Sequence, residues 1–572
     1  MDNRRFLLAM LLSGLVIFVW QIFFIPPPED LEVDEEDAVV EEEIDPDEEP
    51  DPDEVAEPDE PEEIDPDDVV DAEDIEAEEV EVADIDERHD RISTGYVDVT
   101  LSNRGAVVID ASVTAPQQYA RGTGGDMMAA FEEDAPDWPF SMHFLDGNIE
   151  LPDGAMFEVI EEESELADDG ETYDQITYRY TDPAGLFELD KVYSIAEARY
   201  TISLDVEIRN TLDEGAASLV GTPSLSIIGR DDPEKETSFF DFRPDVLEGV
   251  CHTTDDTERE RFDGLDVREE FSQYTVLWAG ADTRYFMMSA VPIDGADRCS
   301  FDAAADDSDY LRTRIYHPSV TLTPGADWST SYTLYMGPKD FDVLRAAGHG
   351  LENAVDYGLF SFLARPLRWS LARLHGFTHN WGLAIILLTL IIKILTWRIT
   401  GKAYTNAERM KQIQPQIKEI REKYENDQQR MTEETMKAFR ENDVSPLGCL
   451  PLLLQMPILY GLFVMIMNSV ELYQANFLWY SDLSAPDPWF ILPIVMGAVM
   501  FVQQRITMAT AASTNPQMMI VMKVMPVAFT AFMLFLPAGL VLYYLLNLLM
   551  GLSQQFLIKR KFRLAEEAVE EV

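Results

Sequence analysis

Lys393 stands in an otherwise uncharged apolar run, Asn380–Trp397 (NWGLAIILLTLIIKILTW). As a helix, such a run just spans the ~30 Å hydrocarbon layer of a bilayer. It puts the ammonium roughly 18 Å along the axis from Trp381, past the midplane but short of the far edge. A cation at that depth costs about 3 kcal/mol on insertion scales. It must therefore face a wet cavity, meet a partner, or snorkel its stem to the nearer interface. Thr389, one turn earlier, lies on the same helical face. Later apolar stretches add Gln455, Tyr543, Tyr544 and Asn547. Polar side chains at membrane depth face an interior or a cavity rather than lipid. These residues point to a polar groove, with Lys393 as its electrostatic attractor and Thr389, Gln455 and Tyr544 as lining.

Other chemistries find less support. No Ser or Cys stands in a context that would activate it beside a base. His375 and His379 have a ligand-like spacing but lack the glutamate of HExxH and precede a span, which favours packing. The acidic residues of a proton relay are missing from the apolar stretches. The halves of the chain do not read as inverted repeats, which disfavours a secondary transporter. Gly122–Gly125 (GTGG) has no strand-then-helix context and no following lysine, so it reads as a plain loop. No motif calls for a nucleotide, a metal or an organic cofactor. Of three cysteines, Cys449 falls in an apolar span. Cys251 and Cys299 can pair if their domain is extracytoplasmic, but a sequence does not supply the distance.

The elements that must position the groove follow from the charge pattern. The 572 residues carry a net charge of −65. Residues 29–88 alone hold 35 acidic residues against one arginine, whereas residues 336–572 are nearly balanced, with 22 basic and 20 acidic. A polyanionic first half does not bind nucleic acid, because phosphate is repelled. Residues 1–28 contain Arg4 and Arg5 followed by an apolar run, Phe6–Ile25, that reads as a retained transmembrane anchor. Residues 29–88 are acidic and Pro-rich with almost no aromatics, the composition of a disordered linker. Residues 89–337 change to short alternating runs, among them Tyr96–Leu101, Gln175–Tyr180, Lys191–Ile195, Tyr200–Ile208, Tyr285–Val291 and Ser331–Tyr335. This predicts an antiparallel β-sandwich with one wet face per sheet. Its scattered acids fit a surface adapted to high external salt. Thermal unfolding of the chain followed in rising salt should therefore show stability increasing toward molar concentrations.

Residues 338–378 form a junction. Within it Phe360–Leu374 mixes aromatics and leucines with Arg365, Arg368 and Arg373, predicting an amphipathic helix in the bilayer interface with its arginines reaching out. The other reading is a globular helix packed on the β-domain. Residues 379–558 carry five apolar stretches, and the sixth is the N-terminal anchor. The polar insertion 398–446, with ten basic and nine acidic residues, reads as an antiparallel helical hairpin turning near Asn426–Asp427. Ile413, Ile417, Ile420 and Tyr424 line one arm, and Met431, Met436 and Phe439 are candidates on the other. The connectors 471–488 and 537–538 lack Lys and Arg, while 398–446, 505–523 and the tail 559–572 contain them. Positive-inside then predicts six spans with both termini cytoplasmic and the β-domain outside. The predicted fold class is an α-helical polytopic membrane protein with an all-β extramembrane domain. Methionine-rich flanks beside a polar groove suit a surface that holds the polar part of a polypeptide while its apolar segment enters lipid.

Residues 380–386 (NWGLAII), 414–424 (QPQIKEIREKY), 445–463 (SPLGCLPLLLQMPILYGLF), 468–479 (NSVELYQANFLW), 487–501 (DPWFILPIVMGAVMF) and 537–555 (PAGLVLYYLLNLLMGLSQQ) together resemble the YidC family of membrane protein insertases. Residues 96–108, 180–193 and 334–344 are similar to the periplasmic domain of its Gram-negative members, a β-supersandwich like that of sugar mutarotases. The resemblance implies an inner-membrane insertase and chaperone rather than an enzyme. Nascent membrane proteins would be its substrates and the Sec translocon its partner. A cytoplasmic hairpin would meet substrates or the ribosome. The family's groove cation falls on Lys393, where bacterial members usually carry arginine. Its groove threonine falls on Thr389 and its last-span tyrosine on Tyr544. The turn before the third span, Pro446-Leu447-Gly448-Cys449, is one glycine short of the family's pattern, and the tail ends acidic (AEEAVEEV) where many members are basic. A membrane-anchored periplasmic carbohydrate-binding or assembly module is the alternative reading.

Overall fold

The computed structural model describes residues 85–570 apart from 120–136, 164–171, 197, 231–246, 263–268, 272–273, 304–309, 426, 445–449 and 509–515. The N-terminal apolar run, the acidic linker, the GTGG segment, Cys449 and the shortened turn before it lie outside the described residues.

Residues 89–338 build three sheets: four strands around Val97–Ser102, six around Leu219–Arg230, and nine running from Thr257–Arg261 to Glu158–Glu163. Pairing in the two larger sheets is antiparallel throughout. Each alternating run of the sequence lies in a strand: Val97–Ser102, Gln175–Thr181, Phe187–Ile195, Thr201–Asn210, Phe286–Pro292 and Asp327–Pro338. In Phe187–Ile195 every second side chain is buried, the pleat of a half-covered sheet. Leu219–Arg230 differs, with every residue but the last buried, and so does Phe286–Pro292, whose run reads as alternating but which is buried throughout, so the predicted wet face is missing there. A strand buried on both sides has no need of alternation. That is why Leu219–Arg230, with Gly221, Pro223 and Gly229 inside it, gives no signal in the sequence.

Two links cross between sheets. Cys251, in Glu248–Thr253 of the nine-stranded sheet, is disulfide-bonded to Cys299, in Arg298–Ala303 of the six-stranded sheet, and both are fully buried. Lys191 occupies an inward position of its strand and is fully buried. Its Nζ donates to the carbonyls of Ala106 at 2.6 Å, Phe140 at 2.9 Å and Gly105 at 3.3 Å. Burial pushes this lysine down to about 7. Its solvation is replaced by three carbonyl acceptors, so the charge is carried by backbone from the small sheet and a neighbouring turn. Replacing Cys251 and Cys299 by serine should destabilise the chain by about 3 kcal/mol through freedom restored to the unfolded ensemble. Thermal unfolding of the double variant against wild type, with and without reductant, is the check.

The helices follow in order: α1 (Phe341–Ala347), α2 (Ser361–Thr378), α3 (Trp381–Lys423), α4 (Gln428–Glu441), α5 (Leu450–Met467), α6 (Ile491–Met508), α7 (Pro516–Met533) and α8 (Ala538–Glu570). Asn380 caps α3 through its side chain, accepting from Leu383 N. Nothing breaks the chain between Trp397 and the first polar arm, so span and arm are one 43-residue helix rather than two elements. Helix α3 ends at Lys423 and α4 begins at Gln428, and residue 426 between them lies outside the described residues. Ile413 is buried on α3, but on α4 the covered residue is Ala438, while Met436 is exposed. Met431 lies on the same face as Ala438, whereas Phe439 is about 100° and Met436 about 160° around the helix from it. Among the described residues, α3 and α8 are long and apolar enough to cross a membrane, and 457–467, 491–506 and 524–533 are shorter apolar helices.

Helix α2 keeps two faces. Ala364, Leu367, Arg368 and Leu371 are buried at helical spacing, whereas Leu359 just before it and Phe362, Trp369 and Phe377 are exposed. Arg373 lies over the Trp369 ring at 5.6 Å. An exposed aromatic face interleaved with arginine suits a bilayer interface. Arg368 departs from the expectation. It does not reach out but turns inward and is only 5% exposed. Its NH1 donates to Glu471 Oε1 at 3.0 Å and its NH2 to Asp342 Oδ1 at 3.1 Å, with the guanidinium 4.4 Å from the Phe341 ring.

Candidate functional site: a polar seam between two long helices

On α3, residues 389, 393, 396, 400 and 404 fall on one helical face because they are three or four apart. Thr389 is 1% exposed and Lys393 4% exposed. Facing them on α8 are Asn547, Gly551 and Gln554, again one face. Lys393 Nζ donates to Asn547 Oδ1 at 3.2 Å and approaches its carbonyl oxygen at 3.5 Å. A Cβ on Gly551 would sit 3.1 Å from the Tyr404 hydroxyl and 3.7 Å from Lys393 Nζ, so the glycine lets the two backbones close on the cation. Further along, Thr400 Oγ1 donates to Gln554 Oε1 at 3.0 Å, and Gln554 Nε2 donates to the Trp397 carbonyl at 2.8 Å. Thr389 spends its hydroxyl proton on the Ile385 carbonyl at 2.7 Å, which leaves its oxygen free to accept.

The opposite face of α3 is apolar and outward: Ile391, Ile394 and Leu395 are exposed. Lys393 therefore sits on the helix–helix side and does not snorkel along the lipid face. Among the described residues no carboxylate pairs with it. Its partners are an amide oxygen and a carbonyl, which orient the ammonium without neutralising it.

The other anticipated residues are placed less closely. Tyr544, on α8 one turn before Asn547, packs its ring 5.0 Å from Phe529 of α7. Gln455 lies in α5, which packs against α3 and α8, but its side chain is outside the described residues. Asn547 was legible only as one polar residue in an apolar run. Gln554 stands in the sequence as one of the polar residues near the end of the last apolar stretch, while Tyr404 lies in the polar insertion, where nothing marks it.

His375 stacks on Trp381 with ring centroids 3.7 Å apart, and His379 closes α2 in the left-handed region. Among the described residues no group of three or more His, Cys, Asp or Glu could hold a metal.

At the end of the bundle that meets the β-domain, the turn Val470–Leu472 presents buried Glu471 to Arg368. Gln118 Nε2 donates to the Glu471 carbonyl at 3.2 Å and also bonds the Tyr473 carbonyl. The Tyr473 ring meets Tyr285 at 4.9 Å and Phe286 at 5.9 Å. This turn thus joins the helical bundle to the β-domain. Burial, then the nearby Asp340 charge, holds the Glu471 carboxyl above the usual range, against the pull of Arg368. Burial likewise raises Asp340, which caps α1.

Residues 373–566 match the family model described as 60Kd inner membrane protein, and residues 90–370 match the YidC periplasmic domain. A membrane protein insertase YidC of Syntrophus aciditrophicus is 29% identical over 98% of this chain and 100% of its own length. That of Geotalea daltonii is 34% identical over 72% of this chain and 75% of its own, and that of an Anaeromyxobacter species is 36% identical over 66% and 68%. Among solved structures, an active YidC insertase with its first transmembrane domain resolved covers 84% of this chain and 93% of its own at 18% identity and a TM-score of 0.35. A galactose mutarotase-like protein from Lactobacillus casei covers 44% of this chain and 100% of its own at 10% identity and a TM-score of 0.33. With both halves matched in order and relatives above 30% identity over most of their length, the chain belongs to the YidC family of membrane protein insertases.

Proposed function

We propose that this insertase receives the polar part of a nascent membrane protein along the seam between α3 and α8, with Lys393 as the attractor for acidic residues of the passenger. The observation that carries the reading is an ammonium at membrane depth bonded only to Asn547, with no carboxylate partner among the described residues. Such a charge gains most from a ligand that brings a negative group, because opposite charges attract strongly where water is scarce. Thr389 and Tyr544 would line the same path, with Gln455 contributed by α5. The apolar flanks would let the passenger's hydrophobic segment pass into lipid while its polar tail is held. Lowering the local cost of polar groups in hydrocarbon is the whole of the physical action.

In this reading the chain sits in the inner membrane with six spans, both termini in the cytoplasm, and the β-domain in the periplasm between spans one and two. The buried Cys251–Cys299 bond supports an oxidising compartment for that domain. The domains would divide at 1–28, 29–88, 89–337, 338–378, 379–558 and 559–572, as composition divides them. The hairpin of α3 and α4 would meet substrates or the ribosome, and the Sec translocon would be a partner. Site-specific photocrosslinking tests the path. A photoreactive residue at position 393 or 547 should capture a stalled nascent chain, while one at lipid-facing Ile394 should capture far less. Equal capture from 393 and 394 would dismiss the seam as the route.

A further inference from the structure

A cleft of about 570 Å³ opens where α3 and α8 leave the apolar zone. Trp397, Leu557 and Phe562 give it apolar walls, and Arg398, Arg409 and Lys561 give it cations. Gly401 contributes no side chain to it, and the nearest atom to a Cβ there would be Gln554 Nε2 at 3.1 Å. At about 1.5 Å per residue, Arg398 lies roughly 26 Å along α3 from Trp381 and Lys561 roughly 35 Å along α8 from Ala538. Both helices therefore deliver their cations near the edge of a ~30 Å hydrocarbon layer. Arg409 is engaged by Asp443, donating to its carbonyl at 3.1 Å. Arg398 and Lys561 form no ion pair among the described residues.

We propose that this cleft binds the headgroup phosphate of an anionic phospholipid from the leaflet on the hairpin side. Charge complementarity names the sign of the ligand, and the walls name its class. Ile394, one turn before Trp397 on α3, and Leu395 beside it are 68% and 74% exposed, an apolar surface next to the cleft. A lipid can place its phosphate among the cations and lay its acyl chains along that face. A nucleic acid or an acidic peptide would use the cations but leave the apolar continuation uncovered. A basic cluster at the edge of the hydrocarbon is where anionic headgroups concentrate. A lipid seated there would close the flank of the seam beside the Thr400–Gln554 pair.

Native mass spectrometry of the full-length, delipidated chain in detergent tests this, titrating phosphatidylglycerol against phosphatidylcholine. A one-to-one phosphatidylglycerol adduct should persist where phosphatidylcholine is lost. The R398Q/K561Q variant should weaken that adduct on the order of tenfold, and R398K/K561R should keep it. Circular dichroism and a monodisperse elution profile establish that each variant is folded, with R398Q alone, expected to show a smaller loss, replacing any double variant that is not. Equal retention of the two lipids, or undiminished phosphatidylglycerol binding by the glutamine variants, overturns the proposal. So does a variant that loses ribosome or passenger binding while its lipid adduct is unchanged, which would assign the cations to nucleic acid or polypeptide.

Discussion

Replacing Lys393 with alanine should slow insertion of passengers with acidic translocated tails by roughly tenfold or more, while passengers with uncharged tails are affected far less. The expectation follows from depth. A carboxylate carried into the bilayer core costs about 3 kcal/mol on insertion scales, and a fixed cation on its path offsets a good part of that. Alanine leaves only Asn547, Thr389 and the Gln554–Thr400 pair, which are dipoles without net charge. Lys393→Arg should keep most of the activity because the sign of the charge survives. The longer planar fork would reach past Asn547 and present several donors where lysine presents a point charge. Protease protection of a reporter series with zero to three acidic residues in the tail is the measurement. A Lys393→Ala loss that ignores tail charge would mean the residue supports packing of α3 on α8 and not capture.

The second large effect belongs to the junction between the helical bundle and the β-domain. Arg368→Ala should destabilise the chain by about 3–5 kcal/mol, because removing one partner of a buried pair strands the other charge. Here the stranded group is the buried Glu471, with Asp340 close by, whereas Asp342 is exposed and keeps its water. Glu471→Gln should be milder, since glutamine still offers a carbonyl to the guanidinium. The pH dependence has a definite sign. Burial raises the Glu471 carboxyl above its unfolded value, so between those two values the folded chain holds the extra proton. Stability must then fall as pH rises through that window. Glu471→Gln should flatten this slope, and thermal unfolding in detergent across mildly acidic to neutral pH would measure it. An unchanged slope in Glu471→Gln would assign the titration to Asp340.

Both effects arise from charges placed where water is scarce, and they differ in what the neighbours supply. Arg368 is met by carboxylates of the turn at 470–472 and of α1, so it works as a clamp between α2, the bundle and the β-domain. Lys393 is met by neutral dipoles, so it stays available to something that arrives. The local sequences of the two cations, RPLRWS and LIIKIL, do not separate those roles.

What the amino-acid sequence determined by itself was the order of the parts and their kind. Alternation marked strands, uncharged runs marked apolar helices, two of them of membrane length among the described residues, and a single lysine within one of these marked the position that needed explaining. Those signals are local, because burial on one face repeats every second residue in a strand and every three to four in a helix. The tertiary structure alone decided the partners. It turned Arg368 inward to Glu471, set Lys393 against Asn547 and Gly551, and joined Cys251 to Cys299 across two sheets. It also buried Leu219–Arg230 on both faces, where no periodicity survives to be read. Each of these depends on residues far apart in the chain being brought within a few ångströms. Hydropathy and spacing carry no record of which distant side chain will arrive, only of the need for one.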